Sequence, residues 1–98
     1  MGKGMMGRCL LKVVDTFAIP GRGVAMAPGI VLIEGEKVRI GDPLMLIRPD
    51  GTRLMSVIGG LEFFNPNPRS EIGIFLKDLT KEDVPIGTEV WLTLDDNG

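Results

Sequence analysis

Glu71-Ile72-Gly73-Ile74-Phe75-Leu76-Lys77 places Ile72, Ile74 and Leu76 at alternate positions. Successive side chains of a strand point to opposite faces, so these three share one face and call for a core beneath them. Thr88–Leu94 repeats the pattern with Val90, Leu92 and Leu94, and Lys37-Val38-Arg39-Ile40 alternates polar with apolar. Working outward, further strands are expected at about Arg8–Phe17, at Val24–Ala27 with an extension through Ile30–Ile33 past a bulge, at Leu44–Arg48, and within Thr52–Phe64 with Gly59-Gly60 as a bulge or sharp bend. Turn signals separate them: Ile19-Pro20-Gly21-Arg22-Gly23, Ala27-Pro28-Gly29, Glu34-Gly35-Glu36, Gly41-Asp42-Pro43, Pro49-Asp50-Gly51 and Ile86-Gly87-Thr88. Their spacing, about 8–12 residues, is that of a sandwich or barrel. Thr80 and Asp83 form a weak capping box that Pro85 cuts short, so at most one helical turn is expected there. No longer stretch keeps a helical period, and the expected class is all-β. A small closed β-barrel is the simplest way for about seven short strands to avoid open edges. The expected core is Val13, Val38, Ile40, Leu54, Ile72, Ile74, Leu76, Val90, Leu92 and Leu94.

Composition narrows the chemistry. The chain has 98 residues, one domain's worth, with 44% hydrophobic and 24% charged residues. Residues 1–7 read as a flexible arm, 8–95 as the barrel and 96–98 as a tail. The net charge of -2 gives no basic field over the whole chain, which argues against nucleic-acid binding by bulk electrostatics. Histidine is absent, which removes Ser-His-Asp and Cys-His catalysis and His-ligated metal sites. One cysteine excludes an intramolecular disulfide and fits a reducing, cytoplasmic setting. Cys9 reads as a buried structural thiol. No apolar run approaches the roughly 20 residues of a membrane span, and none makes a secretory signal.

Motif matches fail on context. Gly2-x-Gly4-x-x-Gly7 has the letters of a dinucleotide fingerprint without a strand before it or a helix after it. Gly2 lacks the Ser or Thr at position 6 that N-myristoylation wants. No Gly-x-x-x-x-Gly-Lys-Ser/Thr loop occurs in these 98 residues, so no phosphate loop and no nucleotide hydrolysis of that type is expected of them. Glu34/Glu36, Glu82/Asp83 and Asp95/Asp96 sit in turns or tails and read as solvated carboxylates. The expectation is a non-enzyme with no catalytic residues, no metal and no cofactor.

Val13-Val14-Asp15-Thr16-Phe17-Ala18-Ile19-Pro20-Gly21-Arg22-Gly23 resembles the opening of domain 2 of the translational GTPases, most closely that of elongation factor Tu, where a strand ending in Asp-x-Phe runs into Ile-Pro-Gly-Arg-Gly. In the same order, Lys37–Asp42 resembles that family's Val-Gly-Glu/Asp hairpin strand, Leu61-Glu62-Phe63-Phe64 its Val-Glu-Met-Phe/His strand, and Ile72–Leu79 its Val-Gly-Val-x-Leu-x-Gly strand. Lys81-Glu82-Asp83-Val84 with Ile86-Gly87 resembles its Lys-x-Glu-Asp-Val-x-x-Gly turn. Together these cover residues 8–94. The resemblance implies a closed β-barrel with Greek-key-like connections, and a module that meets the aminoacylated 3′ end of tRNA.

By the same resemblance, Glu62 falls on the glutamate beside the terminal adenine, Asp15 and Phe17 fall on the Asp and Phe near the aminoacyl end, and Phe64 on a His or Phe. Arg22 is that of the Pro-Gly-Arg-Gly turn. Val14 and Ala27 replace polar members of the family's pocket, and the segment 65–70 lacks its Gly-x-Ala-Gly hairpin. The expected function is a non-catalytic, translation-factor-like binding module associated with RNA or the ribosome, with weak RNA affinity for this chain alone. The alternative is a protein-interaction or structural barrel that has lost the tRNA role. Phe75 and Trp91, which alternate with core positions, are the candidate interface for a protein partner. No membrane role is expected.

Overall fold

The computed structural model describes residues 6–63 and 71–93. The tail at 96–98, most of the arm at 1–7, and the expected residues Phe64 and Leu94 lie outside them. Among the described residues there are eight strands: β1 (Met6–Lys12), β2 (Asp15–Ile19), β3 (Gly23–Ile30), β4 (Pro43–Ile47), β5 (Arg53–Val57), β6 (Gly60–Phe63), β7 (Ile72–Leu76) and β8 (Glu89–Thr93). One 3-10 turn, Lys81–Asp83, lies between β7 and β8. Its Asp83 carboxylate accepts from the Thr80 N–H at 2.8 Å and from Thr80 Oγ1 at 3.1 Å, which is the capping arrangement expected of that segment.

The strands form two antiparallel sheets, β1-β8-β4-β5 and β2-β3-β7-β6. The all-β expectation therefore holds. Neither sheet closes on itself, and the two open sheets share corners. The chain passes between them four times, from β1 to β2, β3 to β4, β5 to β6 and β7 to β8, and the first and third passages are tight corners. At Val13-Val14, the Val13 N–H donates to Thr88 O in one sheet and the Val14 N–H to Ala27 O in the other, both at 2.8 Å. At Ile58-Gly59, the Ile58 N–H donates to Asp42 O at 2.9 Å and the Gly59 N–H to Phe75 O at 2.8 Å. Hydrogen bonding thus continues around both corners, and the backbone groups there are not orphaned.

Between the sheets lies one core. Ile72, Ile74 and Leu76 of β7 are buried, as their spacing requires, together with Val13 and Val90. Leu10 and Leu11 of β1, Val24, Met26 and Ile30 of β3, Leu44 and Leu46 of β4, Ile58 at the corner and Val84 are buried with them. Val38, Leu54 and Leu92 pack only partly against it.

Five expectations are corrected. Met6 and Gly7 belong to β1 rather than to an arm. The first strand breaks at Val13-Val14, because the chain changes sheets there. The expected strand continuation through Ile33 stops at Ile30, beyond an irregularity in the β3–β7 pairing where the Ala27–Pro28 peptide is cis. Lys37–Ile40 is not a strand. The Asp42 carboxylate takes the Arg39 N–H at 2.8 Å and the Asp42 N–H returns to Arg39 O at 3.0 Å, which spends the segment's hydrogen bonds in a turn. Ile40 is 64% exposed and is not core.

Candidate functional site

The outer face of the β2-β3-β7-β6 sheet carries a groove of about 580 Å³. Its origin is visible in the register. Phe17, Ala25, Phe75 and Gly60 lie opposite one another across the four strands. Thr16, Met26, Ile74 and Leu61 form the adjacent row, which faces the core. The outward row therefore alternates aromatic with small, and the small residues leave a trough. Gly73, opposite Glu62, continues it. A Cβ at Gly60 would sit 3.2 Å from Phe75 Cδ2, so a side chain there would crowd the Phe75 ring and narrow the trough.

The sequence singled out Phe17, Arg22, Glu62 and Phe75 separately, and the fold brings them to this one groove. Phe17 is 53% exposed at the β2 edge. Glu62 is exposed on β6. Arg22 stands on the turn joining β2 to β3, where Gly21 takes φ 74 and the Arg22 N–H donates to Ile19 O at 2.9 Å. That turn folds the guanidinium back over Phe75, 5.6 Å from the ring centroid, a cation–π contact. Phe75 is thus half-buried under Arg22 as a groove wall rather than standing free.

Two of the singled-out residues lie elsewhere. Asp15 is exposed on β2, opposite Ala27, and its carboxylate accepts the Thr16 N–H at 2.8 Å; it does not line the groove. Trp91 is on β8 in the other sheet, and its Nε1–H donates to Glu89 Oε1 at 3.0 Å. Trp91, Cys9, Met45 and Met55 make a row across that sheet's outer face. Phe64 lies outside the described residues.

Lys77 and Asp78 also line the groove and were not anticipated. They follow directly on Phe75 and Leu76 in sequence, but their place beside Arg22 is set by the β3–β7 pairing. The only signal in the sequence was the run of small residues at outward positions, Ala25, Ala27, Gly60 and Gly73.

The groove offers apolar walls, two aromatic rings, a glycine floor, a guanidinium and ammonium at one end, and a carboxylate on β6. That set suits a planar, hydrogen-bonding ligand held by stacking and edge contacts. No cluster of three or more Asp, Glu or Cys side chains placed to hold a metal ion occurs among the described residues. The Cys9 thiol is pushed up by burial, and by the nearby Glu89 charge, and its Sγ contacts Leu11 O at 3.5 Å. A raised thiol is a poor nucleophile at neutral pH. No helix among the described residues is long and apolar enough to cross a membrane.

No family model matches the chain, and no solved structure matches it.

Proposed function

We propose that this chain is a non-catalytic binding module of the translation-factor domain 2 type, which receives an RNA end or ribosomal RNA in the groove of the β2-β3-β7-β6 sheet. The observation that carries the reading is the convergence of Phe17, Arg22, Glu62 and Phe75 on one trough. Aromatic side chains and an Arg plane supply sequence-tolerant stacking for a base, worth about 1–3 kcal/mol per base. An exposed carboxylate accepts hydrogen bonds from exocyclic amines. Further support for the family reading is that the β1–β2 and β5–β6 corners let hydrogen bonding run on from sheet to sheet, as a closed barrel with Greek-key-like connections requires. The setting is cytoplasmic in this reading, with no cofactor.

A protein-interaction barrel is the second reading. The apolar outer row of Trp91, Met45 and Met55 favours it, because Met55 is exposed and aromatic and Met side chains are common interface anchors. Recovery of the tag-free protein's partners from its host lysate, with and without ribonuclease, separates the two. Ribosomal or transfer RNA that is lost on ribonuclease treatment supports the first reading, provided Glu62→Ala reduces it. A single protein partner that survives ribonuclease and is lost in Trp91→Ala supports the second.

A further inference from the structure

A second hollow of about 540 Å³ adjoins the groove. The two share Ile19, Gly21, Arg22, Lys77 and Asp78, so three charged side chains stand at the ridge where the hollows meet. Beyond the ridge the second hollow is walled by Leu79, Thr80 and Lys81. We propose that this ridge is a phosphodiester subsite, so that the site takes two consecutive nucleotides of single-stranded RNA. One base lies in the aromatic groove, the bridging phosphate rests on Arg22 and Lys77, and the next nucleotide occupies the hollow beside Lys81. The inference rests on the RNA reading of the groove and adds the length and path of the ligand.

Three observations carry it. First, the two cations are held side by side by backbone geometry. Gly23, at φ 136, packs so closely on the end of β7 that a Cβ there would lie 2.9 Å from Lys77 Cα. Gly59 leaves room for the Lys77 stem, since a Cβ there would lie 2.7 Å from Lys77 Cγ. Both contacts fix where Lys77 leaves the sheet, next to the Arg22 turn. Second, Arg22, Lys77 and Lys81 take part in no ion pair among the described residues, where Arg8 and Arg48 are the paired cations. Their charge is free to meet an external anion. Third, the Arg22 guanidinium lies over the Phe75 ring, and no carboxylate pairs with it among the described residues, so its N–H groups are not spent on an ion pair.

Phosphate contacts of this kind position a strand without reading its sequence. Asp78 on the ridge and Glu82 on the second hollow oppose an anion, so the affinity is low and sensitive to salt. The same geometry makes Asp78 a diagnostic residue, because its neutralisation should strengthen phosphate binding alone.

The test is an amide-resolved NMR titration of the 98-residue chain with adenosine and with the RNA dinucleotide ApA. Adenosine should move the amides of Gly59, Gly60 and Gly73 only. ApA should move these and the amides of Leu79, Thr80 and Lys81, and should bind more tightly than adenosine. Lys81→Gln, an exposed change that touches no core residue, should reduce ApA affinity by about 2–5-fold and leave adenosine unchanged, while Asp78→Asn should raise it by a similar factor. If ApA binds no tighter than adenosine, or leaves Leu79–Lys81 unmoved, the phosphate subsite is wrong and the groove reading stands. If neither compound moves the groove amides, both fall. If an acidic peptide moves the ridge amides and ApA does not, the occupant is a protein segment and the inference is overturned.

Discussion

Arg8 holds Glu36 by two parallel contacts, Nε to Oε2 at 2.6 Å and Nη2 to Oε1 at 2.5 Å, and so ties β1 to the loop between β3 and β4. The Ile33 N–H adds a third bond to Oε1 at 3.1 Å. The Arg8 hydrogen bonds, with the Ile33 N–H helping and partial burial opposing, hold the Glu36 carboxyl below its ordinary value of 4.5. A carboxyl whose pKa is lower when folded is protonated more readily in the unfolded chain. Its stabilisation is therefore present above the unfolded value and is lost as pH falls through the folded one. We expect the urea midpoint to drop on acidification below about pH 4.5, and to drop less in Glu36→Gln. Arg8 is one-third exposed, so solvent screening keeps the cost of Glu36→Gln at neutral pH near 1 kcal/mol. An unchanged pH profile in Glu36→Gln would show that the pair is decorative.

Gly23 is the tightest point of the fold. Its φ of 136 is a backbone region that side chains rarely adopt, and a Cβ would collide with Leu76 O. Gly23→Ala must therefore strain the turn and push β3 from β7, the pair that floors the groove. We expect a loss of about 3 kcal/mol or more, read as a fall in the denaturation midpoint. Gly35→Ala is the control. It has a positive φ of 86 with nothing within 4 Å, so it should cost only about 1 kcal/mol from backbone strain.

Leu46 and Ile40 test the register of the core. Leu46 is fully buried on β4 between Leu54 and Val90, whereas Ile40 is exposed in a turn. Leu46→Ala should cost about 2–5 kcal/mol. Ile40→Ala should stay within about 0.5 kcal/mol, as surface changes do. Equal costs for the two would mean that the 37–42 segment packs as a strand after all.

That pair also shows what the residues disclosed. β7 and β8 were legible because their larger apolar side chains alternate: Ile72, Ile74 and Leu76 are buried on β7, and Val90 is buried with Leu92 packed partly behind it on β8. β4 was legible as a strand from its apolar run, but Leu44 and Leu46 were not separable from Met45 and Ile47 as core, since all four are apolar. Lys37–Ile40 has the alternation of a strand and no partner to pair with; hydrogen bonding to Asp42 decided its fate, and periodicity carries no information about that. In the groove, the aromatic and charged members were legible as special residues. Their meeting was not, because it depends on the cross-strand row of Phe17, Ala25, Phe75 and Gly60, and register is a property of two strands at once. Lys77 was invisible for the same reason, its position being set by Gly23 and Gly59 rather than by its own surroundings in the chain.

The last prediction concerns tRNA. We expect aminoacyl-tRNA to bind this chain alone more weakly than micromolar. Eleven basic residues are set among thirteen acidic ones, so no extended cationic surface can release many counterions from an RNA backbone. In the groove, Glu62 offers one edge contact and Phe17 one apolar wall, while Asp15, the resemblance's partner for the aminoacyl end, lies outside the lining and is spent on the Thr16 N–H. One base contact with stacking is worth about 1–3 kcal/mol. Even with one or two screened phosphate contacts at the Arg22–Lys77 ridge, the sum falls short of the roughly 8 kcal/mol of a micromolar complex. A fluorescence titration against charged and uncharged tRNA at about 0.1 M salt measures it, the salt being enough to screen contacts beyond about 10 Å. Binding in the millimolar range, equal for charged and uncharged tRNA and reduced by Glu62→Ala, is the expected result. Micromolar affinity that discriminates the aminoacyl group would show that the exposed edge of β2 at Asp15 recruits the acceptor end in a way that its free geometry does not display.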